Sequence, residues 1–593
     1  MSNYTTATAI LEALEDAGVS HLFVNLGSDH PAILEAISKR KTDAKRAGYK
    51  NKLRFVTAPN EFVGLCAAQG YFQTSGQMQA ILVHVDAGTQ AMGGAIHNVS
   101  RARIPVIMLA GTSPVTEEGE LVGTRNEFIH YLQDTVDQRG IVRGYTVLNH
   151  EIRTGRNAKQ LILRAAQMSQ SDPKGPSYLI ACREVLEEQI TPYSVKANKW
   201  KPLSPSALAP AAVEQIGQAL LNAKSPVVVT SYLGRQIEAV QQLVDLCEAT
   251  GTAVLEAVPG YLNFPHTHKL YAGNHWSEGL PNGVLEGADV VLVLDCDVPW
   301  IKSVFRPSPD AAIYHIDCDP LKVQMSLFHL DTELSSKADV LTSLQQLNTY
   351  LSQNKESVTA ARQQEVQARI KQVTAIHDAY ISGILAKEGV PADPDTITPH
   401  HILSRLRHHL PDDALVMSEG ISNFRPICDV LMRTLPGTYF TSGATCLGWN
   451  GGASLGAKLA NPDKLVVNIT GDGSFLFSLP ENVHWMARKY NAPFLTVILN
   501  NRGWKSPMLS ALACHRQGHS SQAVTPDDLY VTFDPSCDHS QVAVAAGAGF
   551  GCTVKRVDEI DTALQKGLET VASGRAAVID VWLPKFAVGD RVG

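Results

Sequence analysis

Two polar segments, each directly after an apolar run, contain side chains that could bind a metal ion. Asp472 lies between two glycines after the run Leu465–Ile469, and Asn501 follows the run Phe494–Leu499. If these runs are neighbouring parallel strands, their carboxyl ends meet at the edge of a sheet where ligands bind. Carboxylate and carboxamide oxygens are hard ligands, and glycine lets the backbone approach phosphate closely. We therefore expect a divalent ion that holds a diphosphate.

Two ionisable side chains in the N-terminal region could take part in proton transfer. Glu61 lies between the predicted strand Leu53–Pro59 and the predicted helix Phe62–Phe72, so it stands at a helix start, where acidic residues are favoured. His84 ends an apolar run, and an imidazole there can exchange protons near neutral pH. A buried structural histidine is the alternative for His84.

The elements that must position these residues form three regions in which helical patterns alternate with apolar runs. Such alternation is typical of parallel sheets covered on both faces by helices. We predict an α/β protein with three doubly wound parallel-sheet domains: an N-terminal domain (1–190), a central domain (205–350), a helical linker (351–395) and a C-terminal domain (396–593). The runs predicted as strands are His21–Asn25, Leu53–Ala58, Ala80–His84, Val106–Leu109, Ser177–Ala181, Pro226–Thr230, Ala253–Ala257, Val290–Leu294, Ala312–Ile316, Ala414–Met417, Leu465–Ile469, Phe494–Leu499 and Ala577–Val581.

Composition excludes several classes of protein. The 593 residues are 44% hydrophobic and 18% charged, which is typical of a globular protein. The net charge of −7 comes without a basic block, so we expect neither nucleic acid nor a membrane surface as partner. The sequence contains neither a signal-peptide pattern nor an apolar run long enough to span a membrane, and its ten cysteines form no CxxC pair. We expect a cytoplasmic protein.

The order of the two metal-binding segments resembles the signature of one enzyme family. Asp472 between glycines, followed after the next strand by Asn500-Asn501, is similar to the thiamine-diphosphate signature of acetolactate synthases, benzoylformate decarboxylases and related pyruvate decarboxylase-like enzymes. The resemblance implies thiamine diphosphate and Mg²⁺ as cofactors. It implies that the metal ligands are the side chains of Asp472 and Asn501 and the carbonyl of Gly503. It also assigns the contacts to the cofactor diphosphate to Gly471, Gly473 and Ser474.

A second segment is similar to the activating-glutamate segment of the same family. It is Asn60-Glu61-Phe62, with an Ala-Ala-Gln-Gly-Tyr string on the helix behind it. The resemblance implies that Glu61 contacts the pyrimidine ring and so activates the cofactor. In the family this glutamate and the metal segment come from different subunits. A homodimer or homotetramer with intersubunit active sites is therefore implied.

Two further segments resemble parts of the family's cofactor site. Thr441–Trp449 is similar to the segment that bends thiamine, and Leu447 falls at the position of the wedge side chain. The carbonyl of either Thr445 or Cys446 would then hold the amino group of the pyrimidine. Ser422 falls in a segment that resembles a second diphosphate-binding loop.

The predicted substrate side resembles benzoylformate decarboxylase. Leu26–Pro31 is similar to its Gly-Ser loop, and Val83–Thr89 is similar to the strand that carries its catalytic histidine. The resemblance implies that Ser28 holds the substrate carboxylate or carbonyl and that His84 exchanges the proton. Gln133 lies in a segment similar to the substrate loop of acetolactate synthase-like proteins. The polar residues without an assigned role are Asp29, His30, Asp86, His515 and His519.

For activity, the resemblance implies pyrimidine-binding, central and diphosphate-binding domains that act together on a small 2-oxo acid or aldehyde. Loss of carbon dioxide followed by protonation would give an aldehyde, and capture by a second carbonyl would give a 2-hydroxyketone. A lyase of the 2-hydroxyacyl-CoA lyase or benzaldehyde lyase type, which cleaves without decarboxylation, is the alternative. The central domain binds FAD in some relatives, but the central region here contains no Gly-x-Gly-x-x-Gly string, so FAD is not expected.

Overall fold

The computed structural model describes residues 4–48, 50–354 and 359–589. Within these ranges the chain forms three six-stranded sheets, and the strands within each sheet run parallel. The predicted α/β class with three parallel-sheet units is therefore confirmed. No helix in the described ranges combines the length and the apolar character needed to cross a bilayer.

In the residues that the structure describes, the first unit contains six strands and eight α-helices. The strands are β1 (His21–Val24), β2 (Arg54–Thr57), β3 (Gln79–Val83), β4 (Val106–Thr112), β5 (Leu148–Glu151) and β6 (Ser177–Cys182). The helices are α1 (Thr6–Asp16), α2 (Pro31–Ala47), α3 (Glu61–Ser75), α4 (Val85–Ala91), α5 (Gly93–Arg101), α6 (Ile129–Leu132), α7 (Ala158–Gln170) and α8 (Arg183–Glu187). The strand order across the sheet is β2-β1-β3-β4-β6-β5.

The second unit is followed by a long connecting helix. Its strands are β7 (Pro226–Thr230), β8 (Ala253–Ala257), β9 (Tyr271–His275), β10 (Val290–Leu294), β11 (Ala312–Asp317) and β12 (Leu334–Lys337). Its helices are α9 (Pro210–Asn222), α10 (Ile237–Thr250) and α11 (Val340–Gln353), and the connecting helix is α12 (Ala360–Leu385). The strand order is β12-β11-β10-β7-β8-β9.

The third unit repeats the arrangement of the first. Its strands are β13 (Leu415–Glu419), β14 (Tyr439–Phe440), β15 (Val466–Gly471), β16 (Leu495–Asn500), β17 (Phe550–Val554) and β18 (Ala577–Trp582). Its helices are α13 (Pro399–His409), α14 (Phe424–Leu431), α15 (Trp449–Ala460), α16 (Asp472–Phe477), α17 (Pro480–Lys489), α18 (Lys505–Cys514), α19 (His539–Ala546) and α20 (Ile560–Ala572). The strand order is β14-β13-β15-β16-β18-β17.

The predicted apolar runs and the observed strands differ mainly at the sheet edges. Each predicted run overlaps an observed strand, whereas β5, β9, β12, β14 and β17 were not predicted, and each of these is an edge strand. Strand β14 has two residues, and β5, β12 and β17 are only partly buried. An edge strand has a neighbour on one side only, so it needs no continuous apolar run. The predicted domain boundaries stay a prediction.

In each sheet the chain first adds strands on one side of its starting strand and then adds the next strand on the other side. The switch point lies between the starting strand and this next strand. The switch points lie between β1 and β3, between β7 and β10, and between β13 and β15. In open α/β sheets the crevice at the carboxyl edge beside such a point is the usual ligand site. Ser28 and His84 follow β1 and β3, and Ser422 and Asp472 follow β13 and β15, so the topology brings these residues to two such crevices.

The crevice of the second sheet is filled by charged side chains of the chain itself. Lys322 lies 2.6 Å from Asp317 and 2.8 Å from Asp297, and Arg103 of the first unit lies 2.7 Å from Asp297. Lys322 and Asp317 are buried. These ion pairs join the first unit to the second.

The first and third units share a hydrophobic core in which α3 packs closely against α15. A Cβ atom at Gly70 would lie 2.1 Å from the carbonyl oxygen of Ala453, and one at Gly456 would lie 1.9 Å from the carbonyl oxygen of Ala67. Real side chains do not make contacts this short, so the two helix backbones can approach only because both positions are glycine.

Gly456→Ala should destabilise the protein, because the added methyl group must push α15 away from α3. Overpacking of this kind costs about 1–3 kcal/mol, so we expect a lower melting temperature in differential scanning calorimetry. Gly383→Ala is the matched control, since Gly383 lies on α12 with open space around it and alanine favours a helix. A melting temperature of Gly456→Ala equal to that of Gly383→Ala would contradict the importance of the close contact.

Candidate active site

A cavity of about 310 Å³ opens at the carboxyl edge of the third sheet, beside its switch point. The residues around it come from the ends of β13, β15 and β16 and from the segment before α15. They include predicted cofactor and metal residues from four separate parts of the sequence. Its lining comprises Gly420, Ile421, Ser422, Thr445, Leu447, Gly471, Asp472, Gly473, Ser474, Leu499, Asn501, Gly503, Trp504, Lys505, Ser506 and Pro507.

Asp472 and Asn501 each have one side-chain oxygen without a hydrogen-bond partner among the described residues. These atoms, Asp472 Oδ2 and Asn501 Oδ1, are buried and accept no hydrogen bond. Burial raises the pKa of Asp472 to about 6, and backbone N–H groups such as that of Gly473 offset this only partly. Unpaired buried acceptors are unfavourable, and a cation satisfies both at once. The donor set therefore fits a hard divalent ion such as Mg²⁺.

Hydrogen bonds and close backbone packing fix the loop that carries Asn501. Asn500 donates to Asp580 Oδ1 at 2.9 Å and accepts from the backbone N–H of Arg502 at 3.0 Å. Gly503 has φ +152°, and a Cβ there would lie 2.2 Å from the carbonyl oxygen of Val531. Only glycine fits this position, which leaves the predicted carbonyl ligand on a tightly held backbone. The support from Asp580 was not predicted, because it lies on β18, far along the chain.

The glycine after Asp472 makes room for an aromatic ring. A Cβ at Gly473 would lie 2.2 Å from the ring of Trp504, which lines the same cavity. Ser422 accepts a hydrogen bond from the side-chain amide of Asn501 at 3.4 Å, so the predicted diphosphate loop and the predicted metal loop touch. Trp504 was not among the predicted site residues.

Of the two residues whose carbonyls were proposed for the pyrimidine amino group, one lies at the cavity and the other does not. Thr445 and Leu447 line the cavity, whereas Cys446 does not. The Cys446 carbonyl accepts from Asn98 Nδ2 at 2.8 Å, and its N–H donates to Asn98 Oδ1 at 3.0 Å. Thr445 has φ +62°, a conformation that is costly for a β-branched residue and is typical of functional sites. The geometry therefore favours the Thr445 carbonyl.

A buried carboxylate holds the turn that carries Leu447. Glu419 accepts from the backbone N–H groups of Gly448 and Asn450, each at 2.9 Å, and from the Asn450 side chain. Burial raises the pKa of Glu419 to about 7, and these donors oppose the rise. Glu419 thus fixes the start of α15.

The other predicted residues gather at the switch point of the first sheet. Asp29, which had no predicted partner, accepts from His84 Nδ1 at 2.6 Å and from the backbone N–H of Val85 at 3.2 Å. The Asp29 hydrogen bond raises the pKa of His84, and burial opposes it; Gln133 and the charge of Glu61 add to the rise. Because Nδ1 donates to Asp29, proton exchange would have to use the other ring nitrogen of His84.

Glu61 and the metal-site cavity are separate within one chain. Glu61 is buried at the start of α3, after Asn60, whose side chain caps the helix. It lies beside Gly88, where a Cβ would be 2.7 Å from Glu61 Oε1. Glu61 is not among the residues around the cavity that contains Asp472. The structure thus groups Glu61 with His84, and the metal-binding pair elsewhere.

The remaining polar residues of the sequence prediction fall into two groups. Burial lowers the pKa of His30, whose Nδ1 accepts from the backbone N–H of Gly27. Asp86 accepts from Gln90 on its own helix. His515 and His519 are exposed, with no role assigned by their contacts.

Known proteins match the chain over nearly its whole length. The descriptions that match are "Thiamine pyrophosphate enzyme, N-terminal TPP binding domain" at residues 4–141, the central domain of that family at 213–347 and its C-terminal TPP binding domain at 427–581. Benzoylformate decarboxylase of Pseudomonas aeruginosa is 24% identical, over 84% of this chain and 86% of its own. Acetolactate synthase isozyme 3 large subunit of Escherichia coli is 23% identical, over 98% and 95%.

Two further proteins are similar to the chain, one in sequence and one in structure. The 2-hydroxyacyl-CoA lyase of Arabidopsis thaliana is 23% identical, over 98% of this chain and 95% of its own. The solved structure of the thiamine diphosphate-dependent 4-hydroxybenzoylformate decarboxylase of Rhodococcus jostii RHA1 has a TM-score of 0.75 and 19% identity, and covers 98% of this chain and 100% of that protein. The chain belongs to the thiamine pyrophosphate enzyme family, as its sequence predicted. Its domains imply thiamine diphosphate as cofactor, with Mg²⁺ as the usual partner metal.

Binding of Mg²⁺ should weaken steeply in acid, because a carboxyl group must be deprotonated to bind a metal. The pKa of Asp472 is about 6, so its carboxylate is largely charged at pH 7 and takes up a proton as the pH falls through 6. We expect a nearly constant apparent dissociation constant above pH 7 and a rise of about tenfold per unit below the pKa. Titration of Mg²⁺ with thiamine diphosphate present, followed by tryptophan fluorescence, measures it.

The control is Asp472→Asn, which removes the titrating group. Its Mg²⁺ binding should be weak at every pH and should lose the steep dependence. An unchanged dissociation constant of the unmodified protein between pH 5 and pH 8 would mean that Asp472 is not a metal ligand.

Proposed function

We propose that this protein uses thiamine diphosphate and Mg²⁺ to break or form a carbon–carbon bond next to a carbonyl. The reaction is decarboxylation of a 2-oxo acid, with carboligation to a 2-hydroxyketone where a second carbonyl compound accepts the product. The observation that carries the proposal is the Asp29–His84 pair beside Glu61 and Ser28, at the edge of the first sheet. The Asp29 hydrogen bond favours the protonated form of His84, which supports a group that gives a proton to a carbanion-like product.

Thiamine diphosphate, when bound, supplies a nucleophilic carbon and an electron sink. In this proposal Asp472, Asn501 and the carbonyl of Gly503 hold the metal ion. The diphosphate contacts are assigned to Ser422, Gly471, Gly473 and Ser474, and the contacts to the rest of the cofactor to Thr445 and Leu447. Two buried oxygens without partners support the metal site, and the strained backbone of Thr445 supports the cofactor turn.

We further propose that the protein is a homodimer or a homotetramer with active sites between subunits. Glu61 must reach the pyrimidine ring to activate the cofactor, yet it does not line the cavity of its own chain that contains Asp472. A second copy would bring the edge of its first sheet to this cavity. The ten unpaired cysteines, most of them buried, support the cytoplasmic location that we propose for it.

Glu61→Gln tests the proposed function most directly. The amide keeps the shape of the side chain but carries no negative charge, so we expect turnover to fall at least about 100-fold while thiamine diphosphate still binds. Carbon dioxide release from a panel of 2-oxo acids measures turnover, and calorimetry measures cofactor binding. Glu35→Gln, at an exposed position on α2, is the control. Full turnover by Glu61→Gln would remove Glu61 from the reaction.

Asp29→Asn should change the pH dependence of the reaction. Asp29 raises the pKa of His84, so with asparagine the proton leaves His84 at lower pH. The alkaline limb of the pH profile of kcat should then move towards lower pH by about one unit. Asp16→Asn, at an exposed position at the end of α1, is the control. Identical profiles for Asp29→Asn and the unmodified protein would exclude this role of Asp29.

A second candidate function is a lyase of the 2-hydroxyacyl-CoA lyase or benzaldehyde lyase type. The similarity to the 2-hydroxyacyl-CoA lyase of Arabidopsis thaliana, which extends over 98% of this chain, favours it as the alternative. Such an enzyme cleaves a 2-hydroxy compound and releases no carbon dioxide. Product analysis with 2-oxo acids and with 2-hydroxyketones, each followed for carbon dioxide, separates the two functions.

A further inference from the structure

Arg183 is a cationic side chain at the edge of the first sheet where Asp29 and His84 lie. Within the described residues it forms no ion pair. It follows β6 directly and is only partly exposed. Its Nη1 donates to Asn126 Oδ1 at 2.8 Å and lies 3.4 Å from His130 Nε2, while its Nε is buried with no hydrogen-bond partner. In the described parts of the chain, no carboxylate oxygen lies within 4.0 Å of its guanidinium nitrogens.

The surrounding charges do not neutralise Arg183 closely. Burial raises the pKa of Glu187, one turn further along α8, and Arg183 offsets this only in part. A tight ion pair would lower that pKa instead. Burial also lowers the pKa of His130, and the charge of Arg183 lowers it further, so His130 is neutral at pH 7. The positive charge of this small group is therefore that of Arg183.

A continuous polar strip connects Arg183 with the proposed reaction residues. His130 Nε2, which contacts Arg183, also lies 3.2 Å from Ser28 Oγ. The next residue after Ser28 is Asp29, which holds His84. A substrate whose reacting end lies at His84 and Ser28 could thus extend along His130 to the guanidinium.

The physics of decarboxylation decides which acidic group such a cation would hold. A carboxylate that leaves as carbon dioxide loses its charge in the transition state, so an ion pair with it stabilises the ground state and slows the reaction. A carboxylate that keeps its charge throughout can be bound without this penalty. A substrate with an uncharged far end would cover Arg183 and leave it without an opposite charge, which is costly.

We propose that the substrate carries a second carboxylate, beyond its reacting 2-oxo acid end, and that Arg183 binds this group. The inference rests on the function proposed above, because it uses Ser28 and His84 to fix the reacting end. Arg183 is then the residue that determines specificity for a dicarboxylic 2-oxo acid.

Matched pairs of 2-oxo acids test the inference on the enzyme loaded with thiamine diphosphate and Mg²⁺. 2-Oxoglutarate is compared with 2-oxopentanoate, and 2-oxoadipate with 2-oxohexanoate, by carbon dioxide release. We expect a higher kcat/KM for each diacid. Arg183→Gln should lower kcat/KM for the diacids by roughly 100-fold, mainly through KM. The kcat/KM for the monocarboxylic acids should stay unchanged. Arg183→Lys should recover part of the loss, and Arg164→Gln, at an exposed position on α7, should change nothing.

Binding of glutarate, which has no keto group to react, provides a second measurement. Calorimetry should detect glutarate binding to the unmodified loaded enzyme and not to Arg183→Gln, whose melting temperature shows whether it folds. Equal kcat/KM for monocarboxylic acids and diacids, or an equal fall in kcat/KM for both in Arg183→Gln, would overturn the inference and leave the proposed function intact. If no 2-oxo acid loses carbon dioxide, the proposed function fails and this inference fails with it.

Discussion

The structure of the third unit depends on two buried oxygens that the protein leaves without donors. Asp472 Oδ2 and Asn501 Oδ1 lie in one cavity, and an isolated chain bears the cost of that arrangement. Much of the surrounding architecture keeps these atoms in place. Asn500 ties the loop to Asp580, and the missing side chain of Gly473 admits Trp504. A cation bound as proposed would satisfy both oxygens and so would couple folding to cofactor binding.

The parts of the fold predicted from the sequence are those dictated by local pattern. Central strands of a covered parallel sheet are buried on both faces, so they stand out as apolar runs, and Asp472 and Asn501 could be placed at strand ends from those runs alone. Edge strands such as β5 lack that signal because one side of the strand has no neighbour. Their short, mixed sequences resemble loops.

The contacts that could not be predicted join residues far apart in the chain. Asp29 and His84 are 55 positions apart, and only the packing of the loops after β1 and β3 makes them neighbours. Arg183 is further still from Ser28, and His130, which contacts both, lies on a short helix within a long irregular segment. The types and spacing of these residues contain no signal for such pairs. Loop geometry at the edge of the sheet is therefore what a structure adds.

The glycine contact between α3 and α15 has a consequence for an assembly of two copies. Glu61 begins α3 and Leu447 stands just before α15, so in the proposed dimer this pair of packed helices would carry a residue for each of two different reaction centres. Where α3 and α15 meet, the two backbones touch without intervening side chains. In such close packing, a movement of one helix moves the other. A shift of Glu61 when one centre is occupied would therefore shift the turn that carries Leu447 in the other centre. The two centres of a dimer would then be mechanically linked through the main chain.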